Sequence, residues 1–114
     1  MTMTRRALGI AGEDAAAAWY EANGYDVVAR NWQCREGELD LIVRRNRTIV
    51  FCEVKTRASD AFGSPAEAVN HLKRQRLRVL AGKWLEDYPV TIREIRFDVV
   101  SVIGSEVEVI EGAF

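Results

Sequence analysis

The stretch GELDLIVRRNRTIVFCEVKTR, Gly37 to Arg57, constrains the fold more than any other part of the chain. Two apolar, β-branched runs flank a basic polar turn, which is the pattern of a β-hairpin. With Asn46-Arg47 as a two-residue loop, asparagine supplying the positive φ the turn demands, cross-strand partners have numbers that sum to 93. Val43 then faces Val50, Leu41 faces Cys52 and Leu39 faces Val54, a uniformly apolar side that has to pack on a core. The other side pairs Ile42 with Phe51, Asp40 with Glu53 and Glu38 with Lys55.

Asp40 opposite Glu53 is the anomaly, because like charges directly opposite one another destabilise a sheet. Three arrangements relieve the repulsion: a shifted register, a protonated acid, or a cation between the two. The cation is the chemically productive one. Mg²⁺ takes one or two protein carboxylates, keeps several waters and completes its shell with phosphate oxygens. It lowers the pKa of a bound water and offsets charge that builds on phosphorus. Lys55, on the same side as Glu53, would orient the attacking water or stabilise the crowded phosphate by its charge. Against this stands the plainer reading of E-x-K as a solvated strand face, which does not call for the opposing aspartate.

The remaining elements follow from local pattern. Residues from about Arg6 to Asn23 are alanine-rich and stop at Gly24, as a helix would. YDVVARNW reads as a first strand, and the hairpin supplies two more. Ser64 is a candidate helix cap with Pro65 in the first helical position, opening a helix that runs to about Asp87 and stops before Pro89. IREIRFDVVSVI and EVEVI read as a closing hairpin turning at Gly104-Ser105. The order α-β-β-β-α-β-β predicts an α/β fold, an α+β sandwich with a central mixed sheet flanked by helices, in one domain over residues 1–114.

Other chemistries lose ground on simple counts. Cys34 and Cys52 lie far apart without a CxxC, which argues against structural zinc and a disulfide framework. His71 is the single histidine, so machineries needing a histidine pair are excluded, and no nucleophile-elbow motif accompanies it. The apolar runs are too short to cross a bilayer, and Glu13 and Asp14 interrupt any signal-peptide core, so a cytoplasmic location without membrane contact is expected. The net charge is −1, yet residues 30–83 hold twelve Lys/Arg against six Asp/Glu, so one basic face is compatible with nucleic acid. An uneven solvated surface explains the same count.

Asp40, followed after twelve positions by Glu53-Val54-Lys55, resembles the PD-(D/E)xK motif of restriction-endonuclease-like proteins, although Leu39 stands where that motif has proline. More narrowly, GEDAAAAWYEANGYDVVARNW, GELDLI, FCEVKTR, AFGSPAEAV, KRQRL and RFDVVSV together resemble the YraN family of small proteins along nearly the whole chain. The resemblance implies a restriction-endonuclease-like fold and a Mg²⁺- or Mn²⁺-dependent nuclease acting on nucleic acid, DNA ahead of RNA, branched or single-stranded substrates included. The alternative is a nucleic-acid-binding module that keeps the fold with little turnover.

By the same resemblance Asp40 and Glu53 hold the metal and Lys55 is the catalytic lysine. Glu13 matches a first-helix glutamate that joins the metal site in the branch resembling Holliday-junction resolvases; an ordinary exposed helix charge is its plain alternative. Glu38 either contributes or pairs with Lys55. Lys73, Arg74, Arg76 and Arg78 fall where the superfamily places phosphate-binding residues, and Arg57 shares the strand side of Lys55. The backbone amides of Gly63-Ser64-Pro65 could meet a phosphate. Trp19, Tyr20, Trp32 and Trp84 read as core before base-stacking, and Asp98 as a hydrogen-bonded structural residue. A nuclease this small could pair as a homodimer to cut two strands, though no interface is legible in the sequence.

Overall fold

The computed structural model describes residues 4–57, 69–89 and 91–114. Its elements are helix α1 (Arg5–Ala22), strands β1 (Asp26–Cys34), β2 (Gly37–Arg45) and β3 (Thr48–Arg57), helix α2 (His71–Glu86), and strands β4 (Glu94–Ile103) and β5 (Glu106–Ile110). This is the expected α-β-β-β-α-β-β order. The five strands form one sheet in chain order, antiparallel throughout except for β3 and β4, which run parallel. A parallel pair needs a crossover, and α2 lies within it.

Each helix buries one face of the sheet. Thr4 caps α1, its hydroxyl accepting the Ala7 N–H at 3.0 Å, and the chain leaves at Gly24 with φ 87°. Ala16, Ala17 and Tyr20 of α1 pack on Leu41, Val43, Val50, Cys52, Val100 and Val102. On the opposite face Leu77, Leu80, Ala81 and Trp84 of α2 pack on Ile42, Ile49, Phe51 and Val99. The alternation that the register arithmetic assigns to the hairpin therefore feeds two cores. Tyr20 and Trp84 are buried in them, and Trp19 and Trp32 pack against them.

Two expectations are corrected. Helix α2 opens at His71, with Asn70 extended and its side chain accepting the Lys73 N–H at 2.9 Å, so Val69 and Asn70 precede the helix. The expected cap at Ser64, Pro65 and the Gly63-Ser64-Pro65 turn lie outside the described residues. Leu72, in the first turn of the helix, is 71% exposed and lies outside the core. The second correction concerns Leu39, which packs in the α2 core while Leu41 packs in the α1 core. Strand alternation would have put both on one side.

The change falls on one level of the sheet, just past Leu41, where the β2–β3 ladder ends. Asn31 adopts φ 51° between the pairs Arg30–Leu41 and Trp32–Leu39, directly across β1 from Asp40. A left-handed non-glycine residue inside a strand is uncommon, and here it leaves the β1–β2 register unshifted, Arg30–Leu41 and Trp32–Leu39 continuing one ladder.

Candidate functional site

The acidic residues collect where the hairpin comes apart. The β2–β3 ladder runs from Arg45 opposite Thr48 to Leu41 opposite Cys52 and stops there, so the expected pairs Asp40–Glu53 and Glu38–Lys55 are not part of it. Beyond that point the Asp40 carboxylate accepts the Val54 N–H at 3.0 Å, where the register would have offered the Leu39 carbonyl. A side chain thus replaces a ladder acceptor, and the strands open at the carboxyl end of β3. That end is where open sheets with parallel crossovers place their ligands.

Helix α1 reaches into the opening. A Cβ on Gly12 would run into the side chain of Thr56, so glycine is what lets the helix pass this close to β3. The next residue, Glu13, is delivered to the site. Carboxylate oxygens of Glu13, Glu38 and Asp40 all lie within 4.8 Å of one another. Glu38 also accepts a hydrogen bond from the Gln33 amide at 3.2 Å.

Glu53 stands apart from this trio. Only 6% exposed, it takes the Lys73 ammonium at 2.6 Å and the Lys55 ammonium at 3.5 Å. Partial burial pulls the Lys73 pKa down, but the hydrogen bond and charge of Glu53 outweigh it and the net shift is upward. The Asp40 carboxyl is pushed up to about 7, first by burial and then by the charge of Glu53. The Val54 N–H and the Lys73 charge work against that rise, and the Glu13 charge adds to it.

Asp40 lines two clefts, one under each helix. The first, about 350 Å³, is bounded by Arg5, Glu13, Lys55 and Thr56 among others. The second, about 240 Å³, contains Glu38, Glu53, Lys73 and Arg76. Of the residues expected from sequence, the structure brings Asp40, Glu13 and Lys55 to the first cleft, and Asp40, Glu53, Lys73 and Arg76 to the second. Arg57 lies further along β3, half-buried, with its guanidinium reaching the Ser101 hydroxyl at 3.5 Å. Arg74 and Arg78 turn elsewhere, over the ring of Phe114.

The donor set fits a hard divalent cation. All three clustered ligands offer oxygen, the donor a hard divalent cation takes, and they lie near enough to one another to be drawn onto a single ion. A carboxyl such as Asp40, pushed up by burial and then by neighbouring acids, is also what a bound cation would ionise. Glu53 would join such an ion only by giving up its lysines.

Asp98 is a different kind of aspartate. It has no exposure and accepts the Tyr20 hydroxyl at 2.7 Å, the Arg96 guanidinium at 2.8 and 3.0 Å and the Gly112 N–H at 3.0 Å. Every acceptor position is engaged inside the protein, as expected of a structural residue. Residue spacing alone does not single out Gly12, Asn31 or the Glu53–Lys73 contact. Two glycines, Gly9 and Gly12, interrupt the alanine-rich helix, and they are the signal available for the first.

Fold and site together define a small α+β protein in which ionisable side chains of α1, β2, β3 and α2 converge at the open end of a hairpin. Residues 12–102 match the model described as uncharacterised protein family UPF0102, and the chain belongs to that family. A UPF0102 protein of Beutenbergia cavernae is 55% identical over 97 residues, covering 85% of this chain and 82% of its own. One from Nocardia farcinica is 54% identical over 99 residues, with 87% and 78% covered. One from Moorella thermoacetica is 47% identical across 100% of both chains. This agrees with the YraN-like membership expected from sequence. Among the described residues, no helix is long and apolar enough to cross a membrane.

Proposed function

We propose that the protein is a metal-dependent phosphodiesterase acting on nucleic acid, DNA before RNA. One observation carries the reading: the Glu13–Glu38–Asp40 carboxylate cluster lies beside the lysines of β3 and α2 at the open end of the hairpin. Glu13, Glu38 and Asp40 would hold a Mg²⁺ or Mn²⁺ ion, with Glu53 as a further ligand once released. Such an ion, when bound, supplies an acidified water and charge neutralisation at phosphorus.

The chain's own groups do the rest. Lys55 shares the first cleft with Glu13 and Asp40, a position from which its ammonium can hold a water or a non-bridging phosphate oxygen. Lys73 and Arg76 rim the second cleft and would position the flanking phosphates. Arg57 extends the same strand as Lys55 and is assigned to backbone contact beyond it.

Calorimetry with Mn²⁺ tests the reading, followed by a cleavage panel of duplex, single-stranded and branched DNA and RNA. Binding should vanish in Asp40→Ala and Glu13→Ala with the fold retained. Lys55→Ala should keep the ion and lose cleavage. Absence of divalent binding to the unaltered protein overturns the enzyme reading.

A second reading is favoured by one contact. The 2.6 Å Glu53–Lys73 pair satisfies the central acid of E-x-K internally, which suits a nucleic-acid-binding module with little turnover. Salt-dependent binding without Mn²⁺-dependent cutting would select it. Size-exclusion chromatography with and without DNA would show whether two copies assemble on the substrate.

A further inference from the structure

We infer that the β2–β3 turn carries a second phosphate-binding subsite, an arginine cleft that grips the nucleic-acid backbone at a distance from the acidic site. This rests on the nucleic-acid reading above. The cleft, about 490 Å³, is lined by Asn46, Arg47, Thr48, Arg93 and Glu94. It lies where β3 and β4 begin, at the opposite end of the sheet from Glu53 and Lys55.

Four arginines cluster about this turn, and they are not equivalent. Arg44 is held by the Asn46 carbonyl at 2.6 Å and the Tyr88 hydroxyl at 3.2 Å. Arg45 donates to the Asn23 carbonyl at 3.3 Å and lies over the Tyr25 ring. These two fasten the turn to the body of the protein. Among the described residues, the guanidinium groups of Arg47 and Arg93 have no hydrogen-bond or ion-pair partner, and both residues are exposed. The backbone beneath them is fixed, because the Arg47 carbonyl accepts the N–H groups of Arg93 at 2.9 Å and Glu94 at 3.3 Å. Two unengaged guanidiniums on a pinned backbone form a prepared fork for phosphate oxygens. Glu94 contributes one negative charge to the lining, leaving a net positive cleft.

The ligand is a phosphodiester backbone, and the geometry says why a single phosphate is insufficient. Asp40 lies on β2 and Asn46 in the turn just past its end, six residues on, which at strand rise is roughly 20 Å. That distance corresponds to about six base pairs of duplex. A polymer seated in the acidic site is long enough to reach the arginines, and a mononucleotide is not.

The test is fluorescence anisotropy with a labelled 16-base-pair duplex in EDTA, which removes the metal site from the measurement. Arg47→Ala/Arg93→Ala should weaken binding about tenfold and reduce the slope of log K against log salt by roughly two. Mn²⁺ affinity and thermal stability should stay unchanged, since neither side chain holds the fold. Inorganic phosphate and a mononucleotide at millimolar concentration serve as competitors. The proposal is overturned if the double variant binds duplex as the unaltered protein does, if the unaltered protein binds no duplex, or if free phosphate competes as effectively as DNA. Each of these results leaves the Mn²⁺ and cleavage measurements free to decide the enzyme reading on their own.

Discussion

Asp40 accepts the backbone N–H of Val54 at 3.0 Å, a side chain of one hairpin strand standing in for the main chain in its pairing with the other. The contact ties an acid to the opening of the sheet, and its protonation state to stability. Unfolded, this carboxyl titrates near 3.8; folded, it is pushed up to about 7. Between those values the native chain holds a proton that the unfolded chain has lost, so stability falls as pH rises through the window and levels off above it. Melting temperature of the metal-free protein should therefore drop from pH 4.5 to pH 7.5 through this group. Asp40→Asn keeps an oxygen for the Val54 N–H and removes the titration, so its profile should lose this decline and the variant should melt above the unaltered protein at pH 7.5. Mn²⁺ at pH 7.5 should raise the melting temperature of the unaltered protein alone. An Asp40→Asn profile parallel to that of the unaltered protein would place the titrating group elsewhere.

Gly12 and Thr56 set how closely α1 approaches β3. A methyl group at position 12 meets Thr56 Oγ1, Cβ and Cγ2, none of which can retreat far because Thr56 is part of the sheet. Gly12→Ala should destabilise the fold by about 1–3 kcal/mol in urea unfolding, the usual cost of overpacking, despite the better helix propensity of alanine. Because Glu13 follows directly, Mn²⁺ affinity should fall as well. Thr56→Ala in the same chain removes Oγ1 and Cγ2 but leaves Cβ, and should restore part of both losses. A stabilised Gly12→Ala protein with unchanged Mn²⁺ binding would show that the helix has room to spare.

These two contacts mark the boundary of what was legible in the sequence. The hairpin register was readable because turn chemistry and period-two alternation are local, and the pairs from Arg45–Thr48 to Leu41–Cys52 follow it. Local rules fail at Asp40, where the ladder gives way to a side-chain acceptor and Asn31 turns left-handed across β1. That failure sends Leu39 into the α2 core. Helix α2 opens at His71 behind an Asn70 cap, a residue type as well suited to that position as serine. Pairings between distant elements, such as Lys73 with Glu53 or Gly12 with Thr56, have no signature in residue spacing at all. They are decided by how the helices dock.

Lys73 is the larger part of what neutralises buried Glu53, since Lys55 stands farther off at 3.5 Å. Lys73→Met leaves the carboxylate with that weaker partner in a site of 6% exposure. A loss of about 2 kcal/mol is expected in chemical denaturation, the scale of a charged hydrogen bond left half-satisfied. Glu53→Gln/Lys73→Met should be more stable than Lys73→Met alone, because the uncompensated charge is gone. Freed of Lys73, Glu53 becomes available as a ligand, so Lys73→Met should bind Mn²⁺ more tightly than the unaltered protein. Weaker Mn²⁺ binding in that variant would mean that Lys73 supports the site and does not compete for Glu53.

The hub around Asp98 supplies the control that separates structural from functional acids. Tyr20 is fully buried, and burial, with the nearby charge of Asp98, drives its phenol pKa upward, so it remains a donor at every working pH. Its 2.7 Å bond is one of four that Asp98 accepts. Tyr20→Phe removes that bond and leaves the ring in place. Hydrogen bonds to a charged acceptor contribute about 1.5–3 kcal/mol, and with Arg96 and Gly112 still donating the loss should fall at the lower end. Because Asp98 points into the α1 core and not into either acidic cleft, Mn²⁺ affinity should remain within twofold. Stability and metal binding should thus separate cleanly in this variant, in contrast to Gly12→Ala, where both fall together. Loss of Mn²⁺ binding in a folded Tyr20→Phe protein would instead reveal a path from the hub through Cys52 to Glu53.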